Sequence, residues 1–140
     1  MRRTTITPLL SITSNILLPL LIIFSIYLLI RGHNEPGGGF VGGLVAASSF
    51  TLFAIANGVE TAREKLMVSP RNLILAGIST MFASAIFSLL LGNALLTSYW
   101  FERELPVIGK VGTPIIFDLG VYLLVTGVAL MIIFSFAEEE

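Results

Sequence analysis

Four long stretches without lysine, arginine, glutamate or histidine run through this 140-residue chain and constrain its fold more than any other feature. They cover residues 12–30, 38–56, 73–96 and 115–136. A helix rises about 1.5 Å per residue, so about 20 apolar residues cross a hydrocarbon core of roughly 30 Å. The pattern predicts an all-α integral membrane module of four transmembrane helices, forming a single membrane domain over residues 1–140. The joining segments, 31–37, 57–72 and 97–114, read as loops with no room for a further domain. Charged residues make up only 12% of the chain and mean hydropathy is +0.93. Soluble domains carry about 25% charged residues, so this composition would leave a soluble fold with a greasy surface.

Arg2 and Arg3 before an apolar run could suggest a cleaved leader. The run over 12–30 exceeds a typical leader core of roughly 7–15 residues, and Arg31-Gly32-His33-Asn34-Glu35 follows it instead of a small-residue cleavage site. It reads as a retained span. With four crossings, Arg2, Arg3, Arg63, Lys65 and Arg71 share one side, and Arg31, Arg103 and Lys110 the other. This excess of basic residues predicts cytoplasmic N- and C-termini. Tyr99, Trp100 and Phe101 read as an interfacial aromatic belt.

The second span opens on glycine. Gly39, Gly43 and Ala47 recur every four residues, as do Gly38, Gly42 and Ala46, and that spacing puts each set on one helix face. Each glycine costs a helix about 1 kcal/mol relative to alanine. Close approach of another helix backbone would offset that cost. The partner could be an internal helix or a neighbouring protein of a complex. Ser14, Asn15, Ser79, Thr80, Ser84, Ser88, Asn93 and Thr126 are expected to bond across helices or to their own backbones. Pro19 is expected to kink the first span mildly.

The net charge of -1 offers no basic field for nucleic acid. With no cysteine and one histidine, the chain offers no thiolate or multi-histidine metal set, and no metal or other cofactor is expected. No base is placed to activate the serines or threonines, so enzymatic activity is not expected. The central turns of the spans lack glutamate, lysine, arginine and histidine. A side-chain proton relay across the whole bilayer is therefore not expected within this chain alone.

Two polar clusters lie at the membrane edge. In the first, Asn34 or Glu35 can cap a helix opened by Pro36, and His33 reads as an ordinary surface group. In the second, Thr113 and Pro114 read as cap and first helical residue, and Asp118 follows one turn later. Asp118 can be stabilised by the N-terminus of the helix it lies in, pair with Arg31, Arg103 or Lys110, or join Glu35 in attracting cations. His33, Glu35 and Asp118 are expected at the same membrane surface.

The run Gly32-His33-Asn34-Glu35-Pro36-Gly37-Gly38-Gly39-Phe40-Val41-Gly42-Gly43 resembles the signature of the MnhB/MrpB family, the B-type subunits of the multi-subunit Mrp-type sodium/proton antiporter. The run from Gly112-Thr113-Pro114 through Asp118 to Val121-Tyr122 is similar to that family's fourth-span motif. The resemblance implies a bacterial cytoplasmic membrane protein within a hetero-oligomer of six or seven hydrophobic subunits. Its partners would be large complex-I-like proton-translocating subunits and other small hydrophobic subunits. The complex would exchange sodium for protons using the proton motive force. The resemblance assigns a structural or gating role to His33, Asn34, Glu35, Pro36, Gly37, Gly38, Gly39, Phe40, Gly42 and Gly43. Membership of a related membrane redox complex and a homo-oligomeric channel are the competing expectations.

Overall fold

The computed structural model describes residues 8–32, 38–91, 100–105 and 109–139. His33, Asn34, Glu35, Pro36, Gly37, Asn93 and Tyr99 lie outside the described residues, as does the end of the expected third span. Helix α1 covers Pro8–Arg31, α2 Gly38–Asn57, α3 Val59–Leu66, α4 Pro70–Leu90 and α5 Thr113–Glu139. Strands β1, Trp100–Leu105, and β2, Gly109–Gly112, pair antiparallel between α4 and α5. The class is all-α, with four helices long and apolar enough to cross a membrane.

Local chemistry sets the helix ends. Gly58, at φ 94°, breaks the chain between α2 and α3 in a conformation that a side chain would strain. Ser69 caps α4 by accepting the backbone N–H of Asn72 at 3.2 Å, and Pro70 follows at the first helical position. Helix α1 continues through Pro19.

Two elements depart from the expected loops. Segment 57–72 contains α3, whose Val59, Ala62 and Leu66 fall on one helix face. Ala62 is fully buried there against the bundle end. Segment 97–114 contains the β1–β2 ribbon, in register at Glu104 with Lys110 and Leu105 with Gly109, and irregular towards Trp100. Its first strand begins with two aromatic residues, a type that favours extended chain.

The long helices pack in the order α1, α2, α5, α4. Helix α2 lies between α1 and α5, while α4 packs along the other side of α5. Leu18, Ala47, Phe53, Ala54, Ala62, Leu130 and Phe134 form the buried apolar cluster. Ile12, Leu20, Phe82 and Leu90 remain exposed on the outer faces of α1 and α4. Such a surface would associate in water but matches a hydrocarbon solvent.

Polar contacts identify the two ends of the bundle. At one end, Ser11 donates to the Asn57 side-chain oxygen at 2.6 Å, and Asn57 donates to Ser14 at 2.8 Å. Arg63 of α3 bridges Glu138 of α5 at 2.7 Å at this same end. At the opposite end, the start of α2 meets the start of α5.

Candidate functional site

Three polar residues of α5, Asp118, Tyr122 and Thr126, recur every four positions and therefore share one helix face. That face meets the glycines of α2. Asp118 Oδ1 accepts the backbone N–H of Gly39 at 2.8 Å. Thr126 donates to its own helix at the Tyr122 carbonyl, 2.7 Å away, and also reaches the Gly43 carbonyl at 3.3 Å. The Tyr122 hydroxyl lies 2.8 Å from Ser25 Oγ on α1. Ser25 also donates to the Ile22 carbonyl at 2.7 Å, so the Tyr122 O–H is the natural donor between the two hydroxyls.

The glycines make room for these contacts. A Cβ at Gly39 would fall on the backbone and carboxylate oxygens of Asp118. At Gly43 it would stand 2.9 Å from both the Tyr122 carbonyl and Val125 Cβ. At Gly42 it would stand 2.8 Å from the Ser25 carbonyl and 3.2 Å from the Tyr122 ring. Gly38 faces Gly32 and the Leu28 carbonyl of α1. The two small-residue faces thus serve two internal partners, α1 and α5. Ala46 and Ala47 continue them as buried residues, each 2% exposed.

The joint between α4 and α5 is built in the same way. A Cβ at Gly77 would lie 2.6 Å from the Leu124 nitrogen, and one at Gly120 would lie 2.8 Å from the Gly77 carbonyl. Gly127 approaches the Pro70 carbonyl similarly at 2.8 Å. Beyond Thr126 the α5 stripe turns apolar. Leu130 and Phe134 are fully buried, and the Arg63 guanidinium lies 5.0 Å from the Phe134 ring centroid.

Phe40 is half exposed and turns away from the seam. Arg31 donates to the Tyr27 hydroxyl at 2.9 Å. The side chains of Arg103 and Lys110, the other expected partners of Asp118, lie outside those described. Glu35 and His33, expected beside Asp118, also lie outside the described residues. Among the described residues no group of three or more histidine, cysteine, aspartate or glutamate side chains could hold a metal ion. Reading the chain by hydroxyls alone missed Tyr122 and Ser25. The four-residue spacing of Asp118, Tyr122 and Thr126 is the signal that would have found the seam.

A family model described as a domain related to the MnhB subunit of Na+/H+ antiporter matches residues 9–131. The chain belongs to the MnhB family. Curated relatives of similar length agree with this assignment. The B-type Na(+)/H(+) antiporter protein of Bacillus subtilis is 41% identical over 123 residues, covering 86% of each chain. Its counterpart of the same name in Alkalihalophilus pseudofirmus is 35% identical over 123 residues, covering 86% of this chain and 85% of its own. A solved Mrp complex from Dietzia sp. DQ12-45-1b contains a similar fold at TM-score 0.77 and 29% identity. That match covers 92% of this chain but 14% of the solved chain, so the MnhB fold there is a small part of a longer polypeptide. Four membrane-crossing helices and this family make the chain a multi-pass membrane protein of a bacterial antiporter family.

Proposed function

We propose that this chain is an accessory subunit of a hetero-oligomeric sodium/proton antiporter, required for sodium efflux driven by the proton motive force, and without enzymatic activity of its own. The observation that carries this reading is the way the one acid inside a span is used. Asp118 accepts a backbone N–H across two helices, and the hydroxyls below it bond to neighbouring helices. These groups join a tightly packed piece, as a scaffold protein requires. Its partners are the large proton-translocating subunits and small hydrophobic subunits of an Mrp complex, and sodium and protons are the ions the complex moves. The whole chain acts as one membrane domain in the bacterial cytoplasmic membrane with both termini cytoplasmic, supported by the sequence count of five lysines and arginines before residue 12 and in residues 57–72 against three in residues 31–37 and 97–114.

Within this reading the motif from His33 to Gly43 is a structural or gating element. Gly39, Gly43 and Ala47 supply its packing face. A second role, attraction of cations by Glu35 and Asp118, is supported by the position of Asp118 about one turn from the membrane surface. The test is antiport in everted membrane vesicles. Vesicles lacking this chain should lose sodium-dependent dissipation of the pH gradient, and reintroducing the chain should restore it. Full antiport without the chain would overturn the proposed requirement.

A further inference from the structure

We draw no further inference here: the strongest candidate, the exposed strip of small residues Ala76, Ser79 and Ala83 along the outer face of α4, carries nothing because nothing in the structure shows what covers it.

Discussion

The carboxylate of Asp118 accepts the backbone N–H of Gly39 at 2.8 Å, so a side chain of α5 caps the N-terminus of α2. The first N–H groups of a helix have no partner within it. At the edge of a bilayer, leaving one unpaired is costly. Asp118 also places negative charge at the positive end of the α2 dipole.

Removing that acceptor should loosen the chain within its complex. Asp118→Ala is expected to destabilise it by about 1–3 kcal/mol, the usual penalty for a stranded polar group. Asp118→Asn keeps an acceptor oxygen and should preserve assembly. Recovery of the complex after mild detergent extraction checks both variants. Sodium titration of antiport with Asp118→Asn then separates the two roles of the residue: unchanged half-saturation marks a capping role, and a raised sodium requirement marks cation attraction.

Bulk at the α2 faces should be tolerated worse than loss of polarity. Gly39→Ala places a methyl group on the oxygens of Asp118, and overpacking of this kind typically costs about 1–3 kcal/mol. Gly43→Leu forces a larger side chain against Tyr122 and Val125 and should sharply reduce the amount of complex recovered from detergent. Normal recovery of the Gly43→Leu complex would contradict the packing described for α2 and α5.

Tyr122→Phe keeps the ring over Gly42 and removes only the bond to Ser25. Hydrogen bonds between membrane helices average about 0.6 kcal/mol, so this variant should assemble and melt only slightly lower. Ser25→Ala should behave similarly. Because the two residues form one contact, the double variant should be little worse than either single one, which a thermal-shift double-mutant cycle can measure.

The bridge from Arg63 to Glu138 is half open to solvent, with side chains 34% and 47% exposed. Exposed pairs contribute about 0–1 kcal/mol and weaken in salt. Glu138→Gln should therefore lower the melting temperature slightly at low ionic strength and not at high salt. Arg63→Ala should cost more, because it also removes the guanidinium from the Phe134 face.

The four spans were legible because lipid demands about 20 apolar residues per crossing and tolerates few charges. The glycine faces were legible because a four-residue spacing maps onto one side of a helix. Helix α3 was not, because four of its eight residues are charged and its apolar Val59, Ala62 and Leu66 are too few to stand out from a loop. The contact between Ser25 and Tyr122 joins residues 97 positions apart, and no local pattern announces such a pair. For Asp118 the sequence left several partners open. The backbone N–H of Gly39 was not among them, since it becomes available only once α2 and α5 are side by side.

The central claim is that this chain works as a tightly packed accessory piece of an antiporter. The most direct measurement is mild-detergent purification of the tagged chain from its native membrane, with mass spectrometry of whatever accompanies it. The account predicts recovery with large antiporter-type subunits and several small hydrophobic ones. Recovery of the chain alone, or with the components of a redox complex, would contradict it.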